Sequence, residues 1–106
     1  MTDDQLVEVI ITAPDEDWLI KFTRKLVEEH LAACGHHTPI RSVYTWDGQI
    51  HDQTETRVAI HTRAARVQAI IDRANAEHPY EVACVIATSI VDANPSYRTW
   101  IIDATT

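Results

Sequence analysis

Glycine is scarce in this chain, which contains only Gly35 and Gly48 among its 106 residues. Loops that cradle phosphates, including the dinucleotide-binding and P-loop motifs, need several glycines close together because the backbone approaches the ligand there. Two isolated glycines exclude nucleotide binding of those kinds. Ser42, Ser89 and Ser96 also lie outside any nucleophile-elbow pattern, and no pair of acids is singled out by its spacing. We therefore expect no enzymatic activity.

Cysteine is equally rare, with only Cys34 and Cys84 present. Two cysteines beside a well-populated apolar core do not form the disulfide framework of a small secreted protein. Cys84 lies within the apolar run Val82–Ile86, so we expect it to be a small, reduced core residue. Cys34 is expected at the end of a helix.

Positive charge is the third deficit, since 9 Lys and Arg face 16 Asp and Glu and the net charge is −7. Protonating all six histidines would still leave a net charge of −1. Such a chain is disfavoured as a partner of nucleic acid or of an anionic membrane. Neither a signal peptide nor a membrane span is visible in the acidic N-terminal residues, so a cytoplasmic location is expected.

What is present suits one globular domain covering residues 1–106, since 45% of the residues are hydrophobic. Val7, Val9 and Ile11 alternate as in a strand. Apolar residues at helical spacing then predict a helix from about Asp15 to Ala33, closed by Gly35. Because a small core supplies limited buried surface, we also expect a multimer.

The remaining elements include a hairpin, a second helix, a fourth strand and a short last helix. Two strand-like runs, from about Ile40 to Trp46 and from Gln49 to Thr62, flank Asp47-Gly48, a strong hairpin signal. The second run is longer than a common strand, so the hairpin tip should project or contain a bulge. The other predictions are a helix with Val67, Ile70, Ile71 and Ala74 on one stripe, a strand from about Val82 to Val91, and a helix that Asn94 caps and Pro95 opens.

The resulting order, β-α-β-β-α-β, predicts an α+β fold of the ferredoxin-like class. Two right-handed crossovers place both helices on one face of an antiparallel sheet. No further element is long enough to cover the other face. We therefore expect neighbouring copies of the chain to cover it.

The junction between the second helix and the fourth strand carries a histidine between two acids. Pro79 disfavours helical geometry at His78, so the imidazole should lie at the helix end. Glu77 and Glu81 add carboxylate oxygens, a donor set compatible with Cu(II) or Zn(II). The alternative, which the residues favour over metal binding, is that His78 caps the helix or makes an interface contact.

The other histidines give weaker signals. His36 and His37 are adjacent, so in an extended segment their side chains point to opposite faces, and a solvated loop pair is expected. His51 and His61 are too far apart along one strand, about 33 Å, to share an ion. His30 is expected in packing or at the surface. Any site built from such residues should lie between subunits.

Cys34 is a possible thiolate ligand for Cu(I), although no second cysteine stands near it in the sequence. A group of aromatic residues offers a different kind of site, an intersubunit cleft for a small molecule, or else packing at the subunit interface. The group comprises Tyr44, Trp46, Tyr80, Tyr97 and Trp100.

Five strings of residues carry a family resemblance across nearly the whole chain. They are Thr12-Ala13-Pro14-Asp15, Leu31-Ala32-Ala33-Cys34, Tyr44-Thr45-Trp46-Asp47-Gly48-Gln49-Ile50, His78-Pro79-Tyr80-Glu81 and Asn94-Pro95-Ser96-Tyr97-Arg98-Thr99-Trp100. In this order they closely resemble the CutA family of divalent-ion tolerance proteins. The resemblance implies a cytoplasmic homotrimer with an architecture like that of the PII signalling proteins, linked to tolerance of divalent cations, chiefly copper.

The chain also departs from the family pattern. Ala83 stands where proline usually follows, and His61 stands where lysine is frequent. Ile11 and Glu77 stand where some relatives have cysteine and histidine, which leaves fewer soft ligands. These differences lie near the expected ligand cleft and the expected metal site.

Two functional hypotheses follow. In the first, a homotrimer binds copper(II) or another divalent cation, without an organic cofactor, at an intersubunit site. The predicted metal ligands are His78, Glu81, Glu77 and Cys34. In the second, a PII-like signalling or scaffold module binds a small ligand or an unidentified protein partner. The predicted cleft residues are Tyr44, Trp46, His61, Tyr80 and Trp100.

Overall fold

The computed structural model describes residues 2–106 and contains four strands and three helices in the order β-α-β-β-α-β-α. A short 3₁₀ turn, Ala64–Arg66, precedes the second helix. The elements are β1 (Leu6–Ala13), α1 (Glu16–Glu28), β2 (Cys34–Trp46), β3 (Gln49–Arg63), α2 (Val67–Glu77), β4 (Cys84–Ser89) and α3 (Pro95–Ala104).

The strands form one antiparallel sheet in the order β2-β3-β1-β4. Successive side chains point to opposite faces, so Val7, Val9 and Ile11 share one face and are fully buried. They pack in one core with apolar residues of α1 and α2, which both lie on this face. The predicted ferredoxin-like arrangement is thus confirmed. We call the opposite sheet face the open face, because neither α1 nor α2 covers it.

Helix α1 begins as predicted but ends earlier. The Asp15 carboxylate accepts a hydrogen bond from the Asp17 amide (2.9 Å) and caps the first turn. The chain then leaves the helix through His30, whose φ is +61°, and the Leu31 amide donates to the Leu26 carbonyl (2.9 Å). A left-handed residue at this position is a common helix end. The predicted extension of the helix to residue 33 is therefore wrong.

Gly35 was predicted to close α1, and this prediction is wrong, because Gly35 lies inside β2. A Cβ atom on Gly35 would lie 2.6 Å from Thr23 Cγ2 and 2.9 Å from Val58 Cγ2. The glycine is required because the strand passes close beneath α1. β2 starts at residue 34 rather than at the predicted residue 40, because its pairing with β3 continues as far as Cys34, opposite His61.

The hairpin between β2 and β3 is confirmed. Asp47 and Gly48 have φ values of +53° and +74°, as a two-residue hairpin turn with the strand twist requires. Because Ala13, the last residue of β1, pairs with Thr56, residues 40–55 pair only with each other and extend past the sheet. The hairpin projects, as the length of its second arm predicted.

The open face carries Cys84, which is exposed. The prediction that Cys84 is a core residue is therefore wrong. Cys84 pairs with Thr12, and neither residue belongs to the core under the helices. In the apolar run of β4, only the partly buried Val85 packs against that core. β4 is also shorter at both ends than the predicted 82–91.

Helix α3 closes the end of the sheet at which β1 begins. Its buried Ile101 packs with Leu6 and Ala33. Asn94 occupies the predicted N-cap position, but its side chain makes no capping bond and donates to Ser96 Oγ (3.0 Å) instead. Within residues 2–106, none of the helices combines the length and the apolar character needed to span a membrane.

Candidate functional site

A cysteine and two histidines meet on the open face, next to α3. Cys34 and His36 lie two residues apart at the start of β2, and Cys34 pairs directly with His61 of β3. The Cys34 Sγ atom and one ring nitrogen from each histidine lie within 4.8 Å of one another. Among residues 2–106, these are the three cysteine, histidine or acidic residues that converge in this way. We call them the Cys-His-His cluster.

His61 is held on both sides of its ring. Its Nε2 atom lies 2.8 Å from Glu8 Oε2, and its Nδ1 atom lies 2.6 Å from the Tyr97 hydroxyl. A carboxylate can only accept, so the ring proton belongs on Nε2, and in the neutral ring Nδ1 presents its lone pair to Tyr97. A carboxylate that fixes a histidine in this way is the usual partner of a metal-binding imidazole.

The Tyr97 hydroxyl also contacts the thiol, at 3.2 Å from Cys34 Sγ. It therefore lies between two of the three potential ligands. Burial, followed by the hydrogen bond with Cys34, raises the pKa of the Tyr97 phenol. The phenol is thus protonated at neutral pH and can donate its proton to Nδ1 of His61.

The Cys-His-His cluster suits a borderline or soft cation. A tetrahedral ion with bonds of about 2.0–2.3 Å holds its ligands roughly 3.3–3.8 Å apart, so small side-chain rotations would suffice. One thiolate and two imidazoles favour copper or zinc, whereas magnesium and calcium prefer oxygen ligands. His61 is mostly buried, its side chain being 16% exposed, while His36 is exposed and gives access from solvent.

His78, the first metal ligand predicted from the sequence, lies elsewhere. Helix α2 ends at this residue, as predicted. Its Nε2 atom lies 2.7 Å from the Thr12 carbonyl, and its Nδ1 atom accepts from the Tyr80 amide (3.0 Å). The ring also packs edge-on against Trp18, with centroids 5.1 Å apart. Both ring nitrogens therefore have partners within the chain.

The acids predicted beside His78 have different surroundings. Glu77 accepts from Arg73 (2.7 Å) and Lys25 (3.1 Å), and the bond from Arg73 is the main cause of its lowered pKa. Glu81 is exposed and lines a cleft. Cys34 lies near the start of β1, whereas His78 contacts its end, so one chain does not bring the four predicted ligands together. Their joint role in metal binding stays a prediction.

The cleft that Glu81 lines has a volume of about 920 Å³ and lies where the hairpin leaves the sheet. Tyr44, Trp46 and Tyr80, three of the five predicted cleft residues, line it, and their role in ligand binding stays a prediction. His61 and Trp100, predicted for the same cleft, lie with Tyr97 at the Cys-His-His cluster instead.

A chain of hydrogen bonds crosses this cleft. Gln53 Nε2 donates to the hydroxyls of Tyr44 (2.6 Å) and Tyr80 (2.7 Å). The Tyr80 hydroxyl donates to the buried carboxylate of Glu55 (2.8 Å). Burial is the main cause of the raised pKa of Tyr80. Sequence reasoning did not find Gln53 or Glu55. Their spacing of two residues along β3, which places both side chains on the same face of the sheet, could have indicated them.

His36 was also missed as a partner of Cys34. The pair His36-His37 lies in β2 and not in the predicted loop, and its two side chains point to opposite faces, as expected. His37 is half-buried, its Nδ1 atom has no hydrogen-bond partner among the described residues, and burial lowers its pKa. Cys34 and His36 share a face because alternate residues of a strand do so.

Comparison with known proteins gives one consistent result. A family profile described as CutA1 divalent ion tolerance protein matches residues 7–104. The CutA homolog of Xenopus laevis is 38% identical over 94 residues, which cover 88% of this chain and 62% of that protein. The divalent-cation tolerance protein CutA of Thermus thermophilus is 33% identical over 94 residues, 88% of this chain and 91% of its own.

The structural comparison agrees with the sequence comparison. The structure of the periplasmic divalent cation tolerance protein CutA from Archaeoglobus fulgidus superposes with a TM-score of 0.92 at 29% identity. The match covers 95% of this chain and 99% of that one.

Proposed function

Because this chain belongs to the CutA1 divalent ion tolerance family, we propose that it binds a divalent metal ion, copper in particular, at the Cys-His-His cluster. Binding there would contribute to tolerance of such ions by buffering or sensing them. The observation that carries the proposal is the convergence of Cys34, His36 and His61 within 4.8 Å, with Glu8 fixing the ring of His61. The donor set of one thiolate and two imidazoles is typical of copper and zinc sites.

We further propose that residues 1–106 act as one non-catalytic domain that assembles as a cytoplasmic homotrimer. The projecting hairpin and the open face expose large apolar side chains, among them Ile50 (82%), Val43 (67%), Ile86 (55%) and Trp46 (45%). Such a surface is typical of a contact between copies. The cluster lies on the open face, so assembly would bring it close to a neighbouring subunit.

The test is native mass spectrometry of the reduced protein, titrated first with Zn(II), which has no redox chemistry, and then with Cu(II). We expect a trimer that binds three ions, one for each cluster. The variant Cys34→Ser/His61→Ala should form the same trimer but lose this uptake, because two of the three ligands are gone.

His51→Ala is the matched control, since His51 also lies on β3 but stacks on Tyr44 away from the cluster. It should retain all three ions. Graded uptake that Cys34→Ser/His61→Ala leaves unchanged would mean adventitious binding and would refute the proposed site. A monomer or dimer in the same spectra would refute the trimer.

The cleft supports a second candidate function, that of a signalling or scaffold module that binds a small ligand. Its volume of about 920 Å³ lies within the range of ligand pockets, and its polar chain from Tyr44 to Glu55 offers directional hydrogen bonds. Trp46→Ala should then abolish binding of a small ligand found by screening and leave the metal stoichiometry intact. Loss of the trimer instead would identify Trp46 as a structural residue.

A further inference from the structure

Tyr97 connects the Cys-His-His cluster to helix α3. Its hydroxyl lies 2.6 Å from His61 Nδ1 and 3.2 Å from Cys34 Sγ, and its ring stacks on Trp100 with centroids 5.6 Å apart. The phenol therefore occupies the position toward which two of the three potential ligands point. It belongs to the first half of α3, which thus rests on the cluster.

A cation at the cluster would compete directly with this phenol. Glu8 holds Nε2 of His61, so Nδ1 is the nitrogen left to coordinate, and its lone pair now accepts from Tyr97. Cys34 would coordinate as a thiolate and lose its present contact with the same hydroxyl. Both contacts that hold the Tyr97 hydroxyl would therefore be lost on binding.

The two halves of α3 are anchored differently. The second half is fixed, since Ile101 and the C-cap residue Thr105 are fully buried and Arg66 Nε donates to the Thr105 carbonyl (2.8 Å). The first half is half-buried or exposed, and Asn94 provides no side-chain cap. Displacement of the phenol would therefore move the first half while the second half holds the helix on the protein.

We propose that the Tyr97 hydroxyl occupies the metal position in the metal-free protein, and that its displacement by the ion shifts the first half of α3. This inference rests on the proposed metal site. It gives the cluster a sensing role, because occupancy changes an exposed surface that includes Trp100.

Trp100 reports on this movement in the double variant Trp18→Phe/Trp46→Phe, since the chain has three tryptophans. Zn(II) is the probe because, unlike copper, it does not itself quench tryptophan emission. We expect the Trp100 emission maximum to shift with the same midpoint as zinc uptake measured by native mass spectrometry. In the unsubstituted protein, zinc should also speed hydrogen exchange of the amides in the first half of α3, which keeps the test valid if the double variant folds poorly.

Tyr97→Phe removes the hydroxyl and keeps the aromatic ring, so it tests the role of the hydroxyl alone. Introduced into the same background, this variant keeps the stacking partner of Trp100 but has no hydroxyl to displace. It should bind zinc at least as tightly and show no emission shift. A full shift in Tyr97→Phe would overturn the inference, as would zinc uptake in the parent without a shift or a change in exchange.

Zinc uptake without an emission shift or a change in exchange would still support the proposed metal site. Failure of the proposed function has a different signature, since zinc would then not bind, or would bind Cys34→Ser/His61→Ala equally well. The two failures are thus distinguishable in one set of titrations.

Discussion

Replacing His78 with alanine should cost stability and leave metal binding at the Cys-His-His cluster unchanged. The ring makes two hydrogen bonds, with the Thr12 carbonyl and the Tyr80 amide, and one edge contact with Trp18. Each hydrogen bond contributes about 1 kcal/mol net, and an aromatic edge contact adds about 0.5–1 kcal/mol. We therefore expect His78→Ala to lower the free energy of unfolding by about 2–3 kcal/mol.

The assay is thermal unfolding of the metal-free protein, because each kcal/mol shifts the melting temperature of a domain of this size by about 4–8 °C. A fall of roughly 10–20 °C is expected. Variants must be compared at equal chain concentration, since association raises the apparent stability. His51→Ala serves as control, because the His51 ring stacks on Tyr44 (5.2 Å) and makes no side-chain hydrogen bond with any of residues 2–106.

The zinc affinity of His78→Ala completes this test. An affinity equal to that of the parent is expected, since both nitrogens of His78 are engaged far from the cluster. An unchanged melting temperature combined with lost metal binding would refute the reasoning. It would support the ligand set predicted from the sequence instead.

Three further predictions follow from single residues. Gly35→Ala should lower the free energy of unfolding, measured in urea, by about 1–3 kcal/mol, because the new Cβ lies under 3.0 Å from two side chains. Gly48→Ala is the control: its Cβ has nothing within 4 Å, so only the strain of the positive φ remains, about 1–2 kcal/mol. Equal stability of Gly35→Ala and the parent would contradict the packing argument. The pKa of Glu77 in the folded protein is lowered below its ordinary value of 4.5. The ionised carboxylate therefore stabilises the fold above pH 4.5, and this stabilisation is lost as the pH falls through the folded pKa. Below about pH 4.5, Glu77→Gln should lose stability less steeply with falling pH than the parent protein. The difference is small, because such surface ion pairs contribute under about 1 kcal/mol. Equal slopes of stability against pH in acid unfolding would show that the pairing of Glu77 with Arg73 and Lys25 is unimportant. Glu8→Gln should weaken zinc binding by about 10- to 100-fold in a competition titration, because the carboxylate that orients His61 is lost, and an unchanged affinity would remove Glu8 from the site.

The fold followed from local signals wherever one residue type decided the backbone. Asp47-Gly48 predicted the hairpin because few other pairs adopt two positive φ angles, and Pro79 predicted the end of α2. The end of α1 could not be predicted in the same way. His30 takes the left-handed position that glycine usually takes, and Gly35 is needed for a contact with residues distant in sequence.

The candidate site was less accessible from sequence because it depends on strand register. Cys34 and His61 are opposite each other only because the pairing of β2 with β3 runs without interruption from the turn to residue 34. A strand starting at residue 40, as predicted, leaves Cys34 and His36 outside the sheet. Cys84 was misplaced for a related reason, since an apolar run does not reveal which sheet face the helices cover.

The hairpin register also has a kinetic consequence. Pairing that starts at Asp47 and Gly48 can proceed one residue at a time, whereas β1 must find β4 across most of the chain, with Val7 opposite Ser89. Hairpins form in about 1–10 μs, and contacts between distant residues form more slowly because closing the loop costs entropy. Cys34 and His61 form the pair farthest from the turn, so they are among the last residues of β2 and β3 to pair. The Cys-His-His cluster should therefore be completed late in folding and opened early when the strands begin to separate from that end.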